Sequence, residues 1–387
     1  MTDDVVVLGS GYAGTGAVKK LESVLDDEAD LTWVSDVDHH LVLHESHRLI
    51  RKPSLRERIT FPVTDIKAPS TRFVQGRVTA LDADARVVEL ADGETVAYDY
   101  LVVGFGSRTA FFGIEGLREH SLTLKSLADA LEIHEAITEA AREASRQDPA
   151  EVVVGGAGLS GIQSAGEIAE FRDRHRAPME IHLVEGLDEV FPNNDPVVQA
   201  KIRKLLEEKD VRIHTGEFIG GVDAETVYVG EETDLDYDVL LWTGGITGQD
   251  AAGTVAVDRD QRSNRIKAGS DFRTSDDRIF AIGDAAIVDQ PGDRPAPPTA
   301  QAAWQAAEVA GENVVRAIRG QPLERWTFDD KGTLISVGEK AVAHDIKGLP
   351  IDTFGGPAAK ALKKTVAARW IRRVNGFADA AKAFPDM

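Results

Sequence analysis

Two segments of the chain repeat one pattern, and this repeat restricts the possible folds more than any other feature. Residues 5–14 and 152–161 each contain a short β-branched run that enters Gly-x-Gly-x-x-Gly and then a helix-like segment. The first glycine allows a tight turn, the second lets the backbone approach a pyrophosphate, and the third lets helix and strand pack closely. The glycines are Gly9, Gly11 and Gly14 in the first copy and Gly156, Gly158 and Gly161 in the second. The sequence therefore predicts two βαβ units, each with a helix N-terminus that faces a dinucleotide.

Each pattern is followed by a second predicted strand that ends in an acidic residue. The strand LTWVS runs into Asp36 in the first unit, and IHLV runs into Glu185 in the second. A carboxylate at this place can accept hydrogen bonds from a ribose diol. Two glycine-rich turns in an ordinary α/β protein would explain the glycines alone. The recurrence of strand, helix and acid in both copies favours dinucleotide binding.

Composition restricts both the chemistry and the partners. The 387 residues include no cysteine, so structural disulfides, thiolate metal sites and redox-active dithiols are excluded. The net charge of −21 argues against a nucleic-acid partner, because phosphate binding requires Lys and Arg. The acidic surface resembles that of a haloarchaeal cytoplasmic protein, and an ordinary acidic mesophilic protein is the alternative. We expect neither a signal peptide nor an apolar run long enough to span a bilayer.

A histidine-rich segment follows the first unit, at residues 38–53. The potential metal ligands in it are His39, His40, His44, Glu45 and His47. The segment also alternates apolar residues and carries Arg48, Arg51 and Lys52, which disfavour a bound cation. We therefore predict a loop that lines the cofactor cleft, and no metal site.

The remaining segments supply further strands and helices. Residues 72–104 are predicted to form a half-exposed antiparallel β-meander, and residues 126–145 a helix. A strand at residues 239–242 runs toward Gly244, where the backbone can again approach a ligand. Another strand at residues 278–282 ends in Gly283 and Asp284. A helix at residues 300–319 and a hairpin at residues 332–343 precede a basic, apolar tail.

The order of these parts resembles a known superfamily. GSGYAG, Asp36, LVVGFGS, GGAGLSG, Glu185, LLWTGG and IFAIGDAA follow one another as in the two-dinucleotide flavoproteins. The segments AQAAWQ and DKGTLISVGEKAVA resemble type II NADH:quinone oxidoreductases in particular. The resemblance implies an α/β fold with two Rossmann-like domains, each with a parallel sheet and β-meander insertions, and a C-terminal hairpin and helix region.

The resemblance also implies two cofactors, FAD and NADH, and a quinone acceptor. It assigns Gly9, Gly11 and Gly14 to the FAD pyrophosphate, Asp36 to the adenosine ribose, Gly106, Gly283 and Asp284 to the rest of FAD, and Gly156, Gly158, Gly161, Glu185 and Gly244 to NADH. Gln301 and Gln305 correspond to the family segment beside the flavin where quinone docks, and Lys125 to a polar group near the cofactors. The implied domains are residues 1–110 and 244–322 for FAD, 111–243 for NADH, and 323–387 for membrane or dimer contacts.

Two residues depart from the family pattern. The family usually has Gly-Val-Glu after the second fingerprint, where this chain has Gly161, Ile162 and Gln163. Gln163 is a candidate catalytic residue by position, but an amide cannot carry a proton as a carboxylate does. Phe105 replaces a small residue after the meander, and its bulk is expected to alter the surroundings of the flavin.

The missing cysteine separates this chain from several relatives. Disulfide reductases, thiol-dependent NADH oxidases and sulfide:quinone oxidoreductases all work through cysteine sulfur. An FAD-dependent NADH dehydrogenase that reduces quinone remains the leading hypothesis. The alternatives are a reductase of a ferredoxin- or rubredoxin-type protein and a flavin-binding redox sensor with little turnover.

The last part of the chain suggests where the protein acts. Residues 353–378 contain no acid but several Lys and Arg. The apolar residues at helical spacing are Leu362, Val366, Trp370, Val374 and Phe377. A basic amphipathic helix suits an anionic membrane, so we expect a cytoplasmic protein peripheral to the inner face of the cell membrane, using a menaquinone-type acceptor. Packing on the protein's own acidic body, or on a second subunit in a homodimer, is the alternative.

Overall fold

A computed structural model describes residues 2–292 and 294–387. The first part of the chain contains β1 (Asp3–Leu8), α1 (Tyr12–Val24), β2 (Ala29–Ser35), β3 (His39–Leu41), α2 (Arg56–Ile59), β4 (Thr60–Pro62), α3 (Val63–Ile66), β5 (Arg72–Gln75), β6 (Val78–Asp82), β7 (Val87–Leu90), β8 (Thr95–Ala97), β9 (Tyr100–Val103) and β10 (Ser107–Thr109). The second part contains α4 (Leu117–His120), α5 (Leu127–Glu143), β11 (Ala150–Gly155), α6 (Leu159–His175), β12 (Met179–Glu185), α7 (Pro196–Glu207), β13 (Val211–Thr215), β14 (Ile219–Val222), β15 (Thr226–Val229), β16 (Thr233–Asp236) and β17 (Val239–Trp242).

The third part of the chain returns to the first sheet and then forms the C-terminal region. It contains β18 (Ile246–Gly248), β19 (Ile266–Ala268), β20 (Ile279–Ala281), β21 (Ala286–Val288), α8 (Ala300–Ile318), β22 (Thr333–Val337), β23 (Lys340–His344), β24 (Thr353–Gly355), α9 (Pro357–Asn375) and α10 (Phe377–Ala383). Short 3₁₀ helices lie at Leu43–Ile50, Pro53–Leu55, Asp250–Gly253 and Gly283–Ala285.

The first fingerprint lies in a five-stranded parallel sheet of order β20-β9-β1-β2-β5. Val5, Val6 and Val7 of β1 are fully buried, because α-helical and loop segments cover both faces of the sheet. The adjacent position of β20 and β9 brings residues 279–281 beside residues 101–103. The carboxyl ends of β1, β9 and β20 therefore meet at one edge.

The second fingerprint lies in a four-stranded parallel sheet of order β13-β12-β11-β17. Helices α5 and α6 pack on it, and the antiparallel strands β14–β16 cover the other face. On that face Val153, Leu240 and Trp242 share a buried apolar cluster with Val227 and Val229. The two sheets correspond to the two predicted Rossmann-like units.

The prediction of a meander over residues 72–104 was wrong at both ends. β5 pairs in parallel with β2, and β9 pairs in parallel with β1, so both belong to the first sheet. Only β6, β7 and β8 form the antiparallel insertion. Leu101, Val102 and Val103 are all buried, which is typical of a central parallel strand rather than an alternating, half-exposed one.

The C-terminal region is a three-stranded antiparallel sheet, β22-β23-β24, followed by α9 and α10. Helix α9 turns Ala367, Trp370 and Ile371 into the protein, where all three are fully buried. The predicted apolar stripe is therefore not one exposed face, because Trp370 and Val374 pack inward while Phe377 begins α10. Within residues 2–292 and 294–387, no helix has both the length and the apolar content that a bilayer crossing requires.

Candidate functional site

The three glycines of the first fingerprint have three different steric situations. Gly9 has φ +95°, and a Cβ atom there would lie 2.6 Å from Cα of Phe105. A Cβ on Gly14 would collide with the carbonyl oxygen of Gly9, so the turn and α1 can approach closely only with glycine. A Cβ on Gly11 would meet nothing within 4 Å. Gly11 therefore presents bare backbone to open space at the start of α1.

The second fingerprint repeats these situations residue for residue. Gly156 has φ +92° and packs against Gly244, with 2.7 Å between its ideal Cβ and Cα of Gly244. A Cβ on Gly161 would collide with the carbonyl oxygen of Gly156, and Gly158 again faces open space. Neither α1 nor α6 has a side-chain cap, so the first N–H groups of both helices are free for an anion.

One cavity of about 2000 Å³ joins the two units. Of the predicted FAD residues, Gly9, Gly11, Asp36, Gly106 and Asp284 line it. The second unit contributes residues from the start of α6 and the end of β17, including Gly158 and Thr243. A pocket for one drug-sized ligand usually measures about 300–1,000 Å³. This cavity is therefore large enough for a dinucleotide together with a second ligand.

Other predicted site residues shape the cavity without lining it. Gly14 and Gly161 lie beneath the two turns, and Gly283, with φ +64°, packs against Ala13. The Glu185 carboxylate accepts hydrogen bonds from the N–H groups of Ala157 at 2.8 Å and Leu187 at 3.0 Å. Glu185 thus fastens the second glycine turn to the end of β12.

Asp284 stands in a short polar chain at the edge of the first sheet. The Ser107 hydroxyl donates to its Oδ2 at 3.1 Å, and Lys125 Nζ donates to the Ser107 Oγ at 3.3 Å. Burial lowers the pKa of Lys125, and the nearby Asp284 carboxylate opposes that shift. Together with the bare backbone at Gly11, this arrangement fits FAD, whose pyrophosphate and hydroxyl groups need N–H donors and a carboxylate acceptor.

Gln301 and Gln305 both line the cavity from the first turns of α8. Their amides are engaged with the segment that precedes β22. Gln301 Oε1 accepts from the N–H of Lys331 at 2.7 Å, and Gln305 Oε1 accepts from the N–H of Asp329 at 3.1 Å. Gln305 Nε2 also donates to the Asp329 carbonyl at 2.9 Å. The two side chains therefore hold residues 329–332 against the cavity mouth.

The histidine-rich segment lines the cavity, but it forms β3 and a 3₁₀ helix where a loop was predicted. His39, His44 and His47 all face it, and the buried carboxylate of Glu45 accepts from Nε of Arg48 at 2.5 Å. The only close group of three potential metal ligands among the described residues lies elsewhere, at Glu151, Glu180 and His182, with ligand atoms within 4.8 Å of one another.

That group on β11 and β12 has a complete hydrogen-bond chain of its own. His182 Nε2 donates to Glu151 at 3.0 Å, and its Nδ1 accepts from His214 at 3.0 Å. No spacing in the sequence indicates this group of three residues, since they come from two separate strands.

Lys363 is the site residue that sequence reasoning missed. It is one of the Lys and Arg residues of the basic tail, for which the sequence predicts a membrane-facing helix, but its side chain is buried and the residue lines the cavity. Nζ donates to Gln163 Oε1 at 2.6 Å and to Ser336 Oγ at 2.7 Å. Burial lowers the pKa of Lys363 to about 8. Its spacing from the small, buried residues Ala359 and Ala367 is the signal that places it on the inner face of α9.

An apolar wall lines part of the cavity and packs against the first fingerprint. We call this the α8–α9 wall, and it consists of Trp304, Leu362, Val366 and Trp370. The Trp304 and Trp370 rings lie 4.7 Å apart, and Tyr12 of the first fingerprint lies 4.7 Å from Trp370. Trp370 is fully buried and supports Trp304, so the aromatic surface that the wall offers to a ring-shaped apolar ligand beside the predicted flavin position is that of Trp304.

Comparisons with known proteins agree with this arrangement. A type II NADH:quinone oxidoreductase of Staphylococcus aureus (strain MSSA476) is 28% identical, with 96% of each chain covered. The solved structure of NDH2 from Plasmodium falciparum in complex with NADH has a TM-score of 0.86 at 16% identity, covering 100% of this chain and 98% of that chain. The sulfide:quinone oxidoreductase from Aquifex aeolicus has a TM-score of 0.80 at 19% identity, covering 97% of this chain and 93% of that chain.

At these identities the two solved structures are evidence for the fold alone, and they confirm the predicted α/β architecture. The predicted resemblance to type II NADH:quinone oxidoreductases is confirmed by the Staphylococcus relative. Residues 3–307 match the sequence profile of a single family, and that span holds both fingerprints and the return to the first sheet. This cysteine-free chain is therefore a member of the pyridine nucleotide-disulphide oxidoreductase family.

Proposed function

We propose that this protein is an FAD-dependent type II NADH:quinone oxidoreductase, which takes a hydride from NADH and passes electrons to a membrane quinone. The observation that carries the proposal is one cavity that connects both glycine fingerprints with the apolar α8–α9 wall. A dehydrogenase with a single dinucleotide would need only one fingerprint. The absence of cysteine excludes the routes through cysteine sulfur and is compatible with quinone reduction through flavin.

FAD is assigned to the cavity edge formed by the first sheet. Gly9, Gly11 and Gly14 would bring the backbone to its pyrophosphate, and Asp36 would accept from the adenosine ribose. Gly106 and Gly283 would leave space beside FAD, and Asp284 would accept hydrogen bonds from its ribityl chain. The bound flavin supplies the redox chemistry, because it accepts a hydride and releases electrons one or two at a time.

NADH is assigned to the second unit, at Gly156, Gly158, Gly161, Glu185 and Gly244. The free N–H groups at the start of α6 suit its pyrophosphate. Glu185 already binds two N–H groups, and the remaining lone pairs of its carboxylate can accept from a ribose diol. A 2′-phosphate would meet the negative charge of this carboxylate, so NADH is the expected donor.

The domain boundaries follow the sheets. Strand β20 belongs to the first sheet and β17 to the second. This pairing supports residues 1–110 and 244–322 as the two parts of the FAD domain and residues 111–243 as the NADH domain. Residues 323–387 then form the C-terminal region that completes the cavity.

Quinone is assigned to the α8–α9 wall. Trp304, backed by the buried Trp370, would hold the ring. Gln305 Nε2 already donates to Gln301 and to Asp329, so the remaining N–H of Gln301 would reach a carbonyl oxygen. Reduction of a quinone consumes protons, which the amide of Gln163 cannot donate. Lys363 faces the cavity beside Gln163, and its ammonium is the group that would supply a proton.

Membrane contact is assigned to the α9–α10 surface, consisting of Phe377, Phe384, Arg369 and Arg372. Phe377 is 75% exposed, and Lys364 Nζ lies 5.9 Å from the centre of the Phe384 ring. Exposed aromatic rings among cations suit an anionic bilayer, in which a menaquinone-type acceptor would be dissolved. The protein would then be peripheral on the inner, cytoplasmic face of the membrane. A homodimer through the same surface is the competing arrangement.

Anaerobic stopped-flow spectroscopy tests the proposal. Mixing the purified protein with NADH should bleach the flavin absorbance, and a second mix with a menaquinone analogue should restore it. A parallel mix with a ferredoxin should leave the flavin reduced. Restoration by ferredoxin but not by quinone would contradict the proposal, and so would negligible bleaching by NADH.

A further inference from the structure

The buried carboxylate of Glu45 has one oxygen engaged and one free. Oε2 accepts from Nε of Arg48 at 2.5 Å, whereas Oε1 has no hydrogen-bond partner among the described residues. Lys363 Nζ lies 3.7 Å from that free oxygen. Glu45 is fully buried and the Lys363 side chain is 5% exposed, so water screens this pair very little.

The other groups around Lys363 come from four elements. They are Gln163 and Glu167 on α6, Ser336 on β22, His44, His47, Arg48 and Arg51 beside or within the 3₁₀ helix at Leu43–Ile50, and Lys360 and Lys364 on α9 itself. Burial lowers the pKa of His44 to about 4 and that of His47 well below its usual value, so both rings are neutral near pH 7.

Glu167 pairs with Arg51 and, unlike Glu45, forms no ion pair with Lys363 among the described residues. Its Oε2 accepts from Nε of Arg51 at 2.7 Å. Gln163 and Ser336 carry no charge. Glu45 is therefore the nearest carboxylate to Lys363. Its free oxygen also lies 3.6 Å from Nε2 of His44, but that ring is neutral near pH 7, so the charges that Glu45 balances are those of Lys363 and Arg48.

We propose that Glu45 keeps the Lys363 amine protonated at the wall of the cavity, and so supplies the negative charge that Gln163 does not carry. The inference rests on the proposed quinone reduction. Glu45 does not line the cavity and does not touch the substrate, so it is a positioning residue that acts through Lys363.

The chemical step balances with the proposed activity. A quinone takes two electrons and two protons to become a hydroquinone, and both electrons come from NADH. An N–H bond of the Lys363 ammonium breaks, an O–H bond forms on one quinone oxygen, and the amine keeps the electron pair. The other hydrogen of the hydroquinone is balanced by the one that NADH gives up in its hydride, and the single proton consumed in the net reaction returns from bulk solvent to the amine.

The rate of flavin reoxidation by quinone against pH tests the inference. In the wild-type protein this rate should fall as pH rises through about 8, where Lys363 loses its proton. Glu45→Gln should move that fall to lower pH by about one unit or more, because an opposite charge this close shifts a pKa by about 1–3 units. The rate of flavin reduction by NADH should keep its wild-type pH dependence.

A carboxylate placed at residue 163 should rescue the loss of the Glu45 carboxylate. Gln163→Glu places a carboxylate 2.6 Å from Lys363 without changing the side-chain length. In the double variant with Glu45→Gln, the rate of flavin reoxidation should again fall at the wild-type pH or at a higher pH. Gln163→Glu alone should move the fall upward, and this variant does not depend on folding without Glu45. Glu22→Gln, which removes another buried carboxylate paired with a lysine, Lys19, is the matched control.

Equilibrium unfolding of the FAD-loaded protein gives a second readout that needs no quinone. Between about pH 8 and the ordinary lysine pKa, the unfolded chain binds more protons at Lys363 than the folded protein does, so this residue makes stability rise with pH. Lys363→Met should remove that rise, and Glu45→Gln should extend it to lower pH.

The inference would be overturned if Glu45→Gln left both pH profiles unchanged, that is, the fall in the rate of flavin reoxidation and the rise in stability. A wild-type flavin that quinone does not reoxidise at any pH would instead refute the proposed function. The unfolding profiles would then still decide whether Glu45 controls the proton on Lys363.

Discussion

Lys363 and Gln163, 200 residues apart in the chain, are joined by a hydrogen bond of 2.6 Å from Nζ to Oε1. The bond ties α9 to the helix that follows the second fingerprint. It makes the C-terminal helix part of the cavity wall. The proposed membrane contact would use residues of the same helix that remain exposed, such as Arg372.

The purified protein should be yellow with non-covalent FAD, and Asp284→Ala should release it. The substitution removes the acceptor for the ribityl hydroxyls and leaves Ser107 and Lys125 without their carboxylate neighbour. Flavin content after desalting, read from the ratio of visible to protein absorbance, measures the loss. The exposed Asp289 is the control, and Asp289→Ala should keep its FAD. Full flavin retention in Asp284→Ala would remove Asp284 from the site.

NADH should be preferred over NADPH by about thirtyfold in kcat/KM for flavin reduction. Repulsion between Glu185 and a 2′-phosphate, with the lost ribose hydrogen bonds, should cost about 2 kcal/mol. Glu185→Gln should narrow the preference, because the amide oxygen can still accept while the charge is gone. Concentrated salt should weaken only the charge component. Equal efficiency with both donors at low and high salt would contradict the assignment.

Gln301→Ala should raise the KM for quinone or slow reoxidation, while bleaching by NADH keeps its wild-type rate. The substitution removes an amide from the cavity and releases the N–H of Lys331 at its mouth. Gln290 is a matched control, because its Oε1 accepts from the nearby N–H of Phe328 at 2.6 Å without lining the cavity. Gln290→Ala should affect stability alone. A defect confined to the NADH half-reaction in Gln301→Ala would show that the glutamine serves the other substrate.

Phe377→Ser should weaken binding to anionic vesicles by tenfold or more, since burying a Phe side chain in an apolar phase contributes roughly 1.5–3 kcal/mol. Phe218→Ser is the control, because Phe218 is 66% exposed but belongs to the second unit. Co-sedimentation with vesicles in concentrated salt measures the apolar contribution, since screening there leaves little long-range attraction. Equal binding by both variants would place the contact elsewhere.

Deleting the tail before Gly355 does not separate membrane binding from folding. The deletion would remove Trp370, which is fully buried, and Lys363 from the cavity wall. We expect the truncated chain to lose FAD or unfold, as reported by flavin release on gel filtration. A truncated protein that retains FAD and leaves the membrane would show that α9 is an independent anchor.

Stability should fall as the pH drops from about 6.5 to 4 because of His40. Its ring is fully buried, its Nδ1–H donates to the Ser10 carbonyl at 2.7 Å, and its Nε2 accepts from Trp370 at 2.7 Å. Burial lowers the pKa of His40 to about 4, so the unfolded chain binds a proton in this range that the folded protein excludes. The loss should be on the order of 3 kcal/mol. Urea unfolding of wild type and His40→Gln measures it, with the exposed His120→Gln as control; identical pH slopes in all three would contradict the assignment.

The sequence by itself determined the two nucleotide units. A side chain on Gly14 or Gly161 would collide with the carbonyl oxygen of Gly9 or Gly156 in the same turn, and Gly11 and Gly158 leave the backbone bare at the helix start. Steric requirements of this kind are local, so a short pattern predicts them. The same holds for Asp36 and Glu185, which sit at the ends of the strands that follow their fingerprints.

Only the tertiary structure decided which polar groups are buried together. The charge of Lys363 pointed to an exposed face, but its neighbours Gln163, Ser336 and Glu45 come from three other segments of the chain. The amides of Gln301 and Gln305 likewise bind a loop that no helical spacing reveals. The period of a sequence shows which residues share a face of a helix or strand. What packs against that face depends on contacts between distant segments, and these contacts decide whether a charged group is buried and protonated.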